Sequence, residues 1–415
     1  MKKLMILAAV AASAVLPMAA NADTVTTNGV TWTYIVTDTE KKEVTLGGVG
    51  TFDTAAPSTG VTDEMRAMPV ETQIDASLIP WTFKVGDDTY TVTAIGSLAF
   101  HGCTGLTGPF CIPSPVKTFG RESLYKTNVR LVSFGGVTAL YGYAFQSFTQ
   151  AQPFPDISGV TTFGRGAFYN SPYSGTVRFG KGAAVGSYRM FRGCTNLQAV
   201  YAPGPDSGSK SFNMDNFAYG ASKLKIAFFG PNTKGTGLTG GTMLYNVKNC
   251  KVFVPANGDW DGLATGGTGN EVIYYGASTN INFAVDDNAG VVVATPTTEE
   301  GLAKVLESAP LFKTHFGWST KVNVTNTLEF TSGAITAEMF DGIGFNTLAM
   351  MFSVKTQAQL ANVLDTVPST VMLAIDPTGL TENLTIPAGR EDVFVKSGEG
   401  YEVQKLQHGF MIIVK

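Results

Sequence analysis

Phenylalanine returns through the middle of this 415-residue chain inside a recurring frame. Ile95-Gly96-Ser97-Leu98-Ala99-Phe100-His101-Gly102-Cys103-Thr104-Gly105-Leu106 sets the template, I-G-x-x-A-F-x-x-C-x-x-L. Phe163-Gly164-Arg165-Gly166-Ala167-Phe168 repeats its first half, and Leu140-Tyr141-Gly142-Tyr143-Ala144-Phe145 does so with Tyr at the Gly position. Met190-Phe191-Arg192-Gly193-Cys194-Thr195-Asn196-Leu197 repeats the second half. Weaker copies centre on Leu124, Phe217 and Leu244, so the anchors are spaced by 24, 21, 23, 23, 26 and 27 residues. A unit of that length is one strand plus one tight return. Neither half can bury its apolar edge alone, so the units must stack as coils. About seven coils at roughly 4.8 Å each give a stack roughly 35 Å long.

A short apolar strand follows each anchor, often closed by proline: Phe110-Cys111-Ile112-Pro113, Val132-Ser133-Phe134, Val177-Arg178-Phe179, Val200-Tyr201-Ala202-Pro203 and Val252-Phe253-Val254-Pro255. Proline at a strand end stops the ladder without removing an internal hydrogen bond. The frame with its following I-P or V-P strand resembles the BspA-type leucine-rich repeats of bacterial surface proteins, over about residues 70–276. Gly29-Val30-Thr31-Trp32-Thr33-Tyr34 and Tyr90-Thr91-Val92-Thr93-Ala94-Ile95 resemble the strands that open such arrays. The resemblance implies a surface-exposed or secreted protein that adheres or binds proteins and does not catalyse. Leu124 and Leu244 depart from it in place of Phe, and Cys250 sits near a Leu position.

After Gly276 the texture changes. Thr298 to Pro310 reads as a helix with Thr298 as N-cap, Leu302, Val305 and Leu306 on one face, and Pro310 as its stop. Thr356 to Pro368 repeats it at an offset of 58. Val291-Val292-Val293-Ala294 and Ala349-Met350-Met351-Phe352 precede the two helices; Leu328-Glu329-Phe330 and Leu384-Thr385-Ile386 follow them, ending at Gly333 and Gly389. The expected architecture is therefore a β-rich solenoid of leucine-rich-repeat type followed by an α/β domain built from a duplicated strand–helix–strand unit. The alternative is that this region continues the solenoid with larger coils. The expected divisions are 1–22, a signal peptide; 23–92, a β segment leading into the array; 93–276, the repeats; and 277–415, the α/β domain.

The signal peptide rests on Lys2-Lys3, the apolar run Leu4 to Leu16, the breaker Pro17 and the small-x-small site Ala20-Asn21-Ala22, with cleavage before Asp23. No later run reaches the length of a membrane-spanning helix, so the mature chain is expected outside the cytoplasm: extracellular, on the surface or in the periplasm. Charged residues are 15% of the chain and the net charge is −4. Such a chain has no excess of cations to neutralise a run of phosphates, which sets nucleic acid aside as a partner. Its apolar content, 44%, sets disorder aside.

Catalytic and metal motifs fare poorly. Cys103 and Cys194 occupy equivalent coil positions and read as small core residues, whereas Cys103 and Cys111 could close a small loop as a disulfide. No C-x-x-C spacing supports zinc. Gly235 to Gly240 matches G-x-G-x-x-G, but Pro231 follows the preceding strand and position 255 is Pro where an acid belongs, so these glycines read as a coil return. Asn257 to Gly262 imitates half a calcium loop, yet residue 268 is Thr where the loop needs Glu; a polar turn with Trp260 packed over the last coil is preferred. His101, His315 and His408 are far apart, and Ser207 to Lys210 lacks the partners of the S-x-x-K enzymes. No cofactor and no metal are expected. Asn323 and Asn383 begin Asn-x-Thr sequences that matter only in a eukaryotic secretory route.

The sharpest site expectation comes from alternation along the strands. If Val200 and Ala202 face inward, Tyr201 faces outward; Phe253 does likewise between Val252 and Val254, and Phe228 or Phe229 lies between them. Tyr201, Phe228 and Phe253, with Arg178 earlier in the array, form an outward aromatic ladder expected to meet a protein or glycan ligand at the cell surface or in the matrix. The alternative is that the C-terminal domain docks there and buries the rings. The expected function is non-catalytic surface binding; the competing reading, an envelope hydrolase, needs a polar cleft within 277–415.

Overall fold

The computed structural model describes residues 22–50, 52, 60–238, 242–263, 265–323, 328–329, 335–345, 350–353, 356–368, 373–376, 393–397, 400–403 and 413–414. The expected signal segment up to Asn21 lies outside the described residues, as do Phe330, Gly333, Asn383, the strand expected at Leu384-Thr385-Ile386, Gly389 and His408. Among the described residues no helix is long and apolar enough to cross a membrane.

The chain winds as a β-solenoid of about eight turns. Its N-terminal end is a hairpin, Asp23–Thr27 against Val30–Asp38. The two-residue loop between them is Asn28-Gly29, both with positive φ, the conformation that Asn-Gly favours in tight hairpins. Glu43–Leu46 pairs antiparallel with the second hairpin strand and parallel with Asp88–Ile95, which starts the parallel winding. From there one ladder runs through Thr118–Phe119, Ala139–Leu140, Thr162–Phe163, Ala184–Val185, Lys210–Asn213 and Thr233–Thr236. Its register aligns Ile95, Phe119, Leu140, Phe163, Val185, Phe212 and Gly235 in a single column. All but the last put apolar side chains into the core. At Gly235 the space belongs to Trp260: a Cβ there would come within 2.6 Å of its ring, and the indole N–H donates to the Thr233 carbonyl at 3.2 Å. The first glycine of the G-x-G-x-x-G match is thus a packing requirement of the last coil.

A second parallel ladder forms another side. It comprises Ile74–Asp75, Leu106–Cys111 and Asn128–Ser133 and then, in a separate sheet, Gln152–Pro153, Tyr173–Arg178, Leu197–Ala202, Ile226–Phe229, Lys251–Pro255 and Glu271–Tyr275. Between the ladders the anchor turns stack. Their backbone bonds follow one rule: the N–H of each anchor donates to the carbonyl just before the next anchor, from Phe100 to Ser123, Leu124 to Ala144, Phe145 to Ala167 and Phe168 to Met190. Phe191 donates to Phe217 by the same rule, so the next anchor is Ala218 and the expected copy at Phe217 is displaced by one residue. The shift escapes a side-chain reading because the Phe217 ring still reaches the core, 5.2 Å from that of Phe191.

Each turn is built on two left-handed residues, one two places before the anchor and one two places after. The first set is Leu98, Glu122, Tyr143, Gly166, Arg189 and Asn216; the second is Gly102, Lys126, Ser147, Asn170, Gly193 and Gly220. Four of these twelve are glycine and two are asparagine, so stacking holds the other six in a conformation that costs roughly 1–2 kcal/mol apiece. The template's glycine has a separate role. A Cβ on Gly164 would lie 2.5 Å from the Gly142 nitrogen, and one on Gly120 would strike the Ser97 nitrogen of the coil below.

Inside the coils Phe100, Phe145, Phe168 and Phe191 share one buried core. Phe168 is stacked between Phe145 and Phe191, at 5.6 and 5.7 Å. Cys103, Cys194 and Cys250 are buried and Cys111 is exposed; all four thiols are free. The loop disulfide considered from the sequence is not formed: Cys103 points into the core and Cys111 out of it. Burial pushes the Cys103 and Cys194 thiols up to about 12, which keeps them protonated and unreactive.

Beyond the second ladder the hairpin Ile281–Asp286 and Val291–Pro296 leads into helix α1, Glu299–Leu311. Thr298 caps α1 by accepting from Gly301 N–H, and Thr356 caps helix α2, Gln357–Thr366, by accepting from Gln359 N–H. Pro310 does not stop α1, contrary to expectation. The helix runs through it, widens into a π-turn at Phe312–Phe316 and ends at Gly317 in the left-handed region. Each helix lies between parallel strands: Val291–Pro296 pairs with Ser319–Val322, and Met350–Ser353 with Leu373–Asp376. The strand at Leu328–Glu329 does not join the sheet before α1, as the proposed unit required; it pairs with Met350–Ser353 in the other sheet. Ser319–Val322 and Leu328–Glu329, then Gly344–Phe345 and Met350–Ser353, therefore alternate between two mixed sheets, each pairing parallel there. That alternation is the winding of a coil, and it favours the continued-solenoid alternative for this stretch.

Candidate binding surface

The expected ladder exists and is in register. Arg178 aligns with Tyr201, Tyr201 with Phe228, Phe228 with Phe253, and Phe253 with Ile273. Alternation also resolves the ambiguous pair: Phe229 joins the core of the array and Phe228 faces away from it. The row is not open surface, however. Tyr201, Phe228 and Phe253 are 4%, 1% and 0% exposed. They share a second core with Phe283, Leu302, Val305, Leu306, Phe312, Phe316 and Trp318. The expectation that these rings meet an external ligand directly is thereby corrected: the C-terminal segment seals them. An apolar stripe of this size carries more exposed area than a soluble surface tolerates, and α1 supplies the matching apolar face.

Arg178 belongs to the same seal. Its guanidinium donates to Asp287 Oδ1 and to the Phe316 carbonyl, both at 2.6 Å, and lies 5.6 Å from the Tyr201 ring. Asp287 Oδ1 also accepts from the Trp318 indole at 2.8 Å, and Thr176 Oγ1 donates to the His315 carbonyl at 2.7 Å. Lys251 bridges Glu271 and Glu307, at 3.2 and 2.8 Å. Burial, with the Asp287 charge adding to it, raises the Tyr201 hydroxyl far above its ordinary range.

Two concavities adjoin the seal. A cleft of about 880 Å³ runs between the proline-bounded strand exits Pro203–Asp206 and Gly230–Asn232 and the hairpin residues Phe283–Asn288. A hollow of about 370 Å³ beside α1 is lined by Lys313, Ser319, Thr320 and Asp341. No ion pair among the described residues joins Lys313 to Asp341. No group of His, Cys, Asp and Glu able to hold a metal occurs among the described residues.

Tyr274 is 36% exposed on the last strand of the second ladder, but the aromatic row that stays open from coil to coil among the described residues lies on the stacked turns, where the sequence reading did not look. The residue after each anchor is His101, Tyr125, Gln146, Tyr169, Arg192, Tyr219 and Tyr245 in successive coils. His101 stacks on Tyr125 at 4.6 Å and Tyr219 on Tyr245 at 4.7 Å. Arg192 spans two coils, 5.8 Å from the Tyr169 ring and 4.4 Å from that of Tyr219. Three places before the anchor, Arg165 lies 5.3 Å from the Tyr143 ring and 4.2 Å from that of Tyr188, which Arg189 approaches at 5.0 Å. Tyr125, Tyr143, Tyr169, Tyr188 and Tyr219 are partly exposed and Tyr245 is 45% exposed. Below them Glu122 is buried between Arg121 and His101, at 3.0 and 3.4 Å. Burial alone would raise its carboxyl; the hydrogen bonds from His101 and Arg121 and the Arg121 charge outweigh that and hold it low. Aligning the variable positions on either side of the anchors would have revealed this stripe.

A stack of short coils with a row of tyrosine and arginine on its turns defines a repeat protein of the solenoid class. Residues 87–200 match the family model of the BspA type leucine rich repeat region, in six copies. No curated protein matches the chain. Three solved structures are similar to it. A leucine-rich repeat protein from Bacteroides ovatus ATCC 8483 is 14% identical, with 88% of each chain covered and a TM-score of 0.29. A leucine rich cell surface protein from Faecalibacterium prausnitzii A2-165 is 14% identical over 62% of this chain and 96% of its own, at a TM-score of 0.18. The pneumococcal vaccine antigen PcpA is 11% identical over 87% and 99%, also at 0.18.

Proposed function

We propose that this protein is exported and binds proteins at the cell surface or in the surrounding matrix, with no chemistry of its own. The turn face of the BspA-type array is the contact surface in this reading, and the segment from Ile281 to Trp318 seals the aromatic row of the second ladder. The observation that carries it is the row of tyrosines and arginines running from Arg121 to Tyr245 across successive coils. Tyrosine and arginine are the side chains that dominate binding energy at protein interfaces. Here they are held in fixed places by the backbone of the turns, so little rotamer freedom remains to be lost. Export is supported by Lys2-Lys3, the apolar run behind them and the Ala20-Asn21-Ala22 site. Adhesion is the use such a surface suits best, since a long face offers many weak contacts at once.

The test is a binding screen of the purified protein against surface and matrix proteins, followed by the Tyr188→Ala, Tyr219→Ala pair on any partner found. The pair should weaken that partner by about 2 kcal/mol or more, roughly thirtyfold. Binding unchanged by the pair would place the contact elsewhere and overturn the reading.

A further inference from the structure

We infer that the partner of the turn face is an acidic polypeptide segment, recognised through its carboxylates by Arg165, Arg189 and Arg192. The inference rests on the reading of that face as the contact surface. From three places before to three places after each anchor, the face carries Arg121, Lys126, Arg165, Arg189 and Arg192 against Glu122 and Asp215. The whole chain has a net charge of −4, so the cations are concentrated here against the trend of the molecule. Arg121 already serves Glu122. Arg165, Arg189 and Arg192 have no carboxylate within ion-pair distance among the described residues, and Asp215 reaches none of them. The Nε atoms of Arg165 and Arg189 are buried and have no hydrogen-bond partner.

The rings beside these cations select the class of anion. Arg165 covers the rings of Tyr143 and Tyr188, and Arg192 covers those of Tyr169 and Tyr219. Ring faces taken up by guanidinium groups are not open platforms for a sugar ring. What remains presented is the outer fork of each guanidinium, which fits a carboxylate with two parallel hydrogen bonds. Arg165 lies on one coil and Arg189 and Arg192 on the next, so a short extended segment bearing two or three carboxylates can engage all three.

The test uses poly-L-glutamate as probe with the purified protein, read by fluorescence anisotropy at low salt and at physiological salt. Wild type should bind, and salt should weaken the complex, because surface charge pairs are screened beyond about 8 Å at 0.15 M. The triple variant Arg165→Gln, Arg189→Gln, Arg192→Gln should lose about tenfold or more in affinity with its melting temperature kept. A control of equal charge change off the face, Lys84→Gln, Lys181→Gln, Lys313→Gln, should bind as wild type does. No binding by wild type, equal losses in the two triples, or a preference for dextran sulfate over poly-L-glutamate would each overturn the inference. The wider reading fails differently: a partner protein that loses affinity in the tyrosine pair but not in the arginine triple leaves the face as the contact and removes only its acidic specificity.

Discussion

Phe168 shows how much a single ring can hold in a stack of this kind. It touches Phe145 and Phe191 above and below, and Phe154 and Tyr173 at its edge. Phe168→Ala should cost about 3–5 kcal/mol, the usual range for a buried ring, measured by denaturant unfolding; a loss below about 1 kcal/mol would mean the ring is not in the core. Lys126 provides the opposite sign. It is exposed and held left-handed at φ 56°, so Lys126→Gly should stabilise the fold by about 1 kcal/mol by relieving that conformation. Thiol chemistry checks the side assignments: native protein should take up one equivalent of iodoacetamide, at Cys111, while the three buried thiols wait for unfolding. Much at this scale could be read from the sequence. The anchors Phe100, Phe145, Phe168 and Phe191 and the inward Cys103 and Cys194 follow from the I-G-x-x-A-F frame and its spacing, and the packing of Trp260 from the polar turn that holds it. The left-handed columns could not, because six of the twelve positions hold residues such as Leu98, Glu122 and Arg189 that announce no such conformation.

At the level of elements the seal between the second ladder and α1 is the principal new fact. Alternation placed Tyr201 and Phe253 outward and was right about direction, but direction does not decide exposure. That depends on a segment more than a hundred residues away from Arg178, and pairing at such a distance leaves no local signal. Tyr201→Ala with Phe253→Ala should therefore destabilise the protein by several kcal/mol, near 3–5 for each ring if their effects are independent. A double variant with unchanged unfolding would mean that the segment does not dock. The seal should also respond to pH. Burial first, and the Lys225 charge second, hold His315 below its ordinary value of 6.5. The unfolded chain then takes up a proton near pH 6.5 that the folded chain resists, so stability falls as the pH drops below that value. Melting temperatures measured from pH 7.5 to 5.5 should decline, and His315→Asn should flatten the decline.

The molecule as a whole is two faces of one stack put to different uses. The second ladder is apolar enough to demand a cover and receives one from its own chain; the turns carry polar aromatics that can stay in water and still offer contact area. This division is the observation behind the proposed surface-binding role. Chemical modification of the tyrosines of the native protein, read residue by residue by mass spectrometry, tests it most directly. Tyr245 should react first, then Tyr274, 36% exposed on the strand Glu271–Tyr275, with Tyr125, Tyr143, Tyr169, Tyr188 and Tyr219 following at intermediate rates. Tyr201, at 4% exposure, should stay as unreactive as Tyr173 and Tyr275 in the cores. Modification of Tyr201 at the rate of Tyr245 would contradict the account, because it would show the aromatic ladder open and the turn face with no claim to be the aromatic surface of the protein.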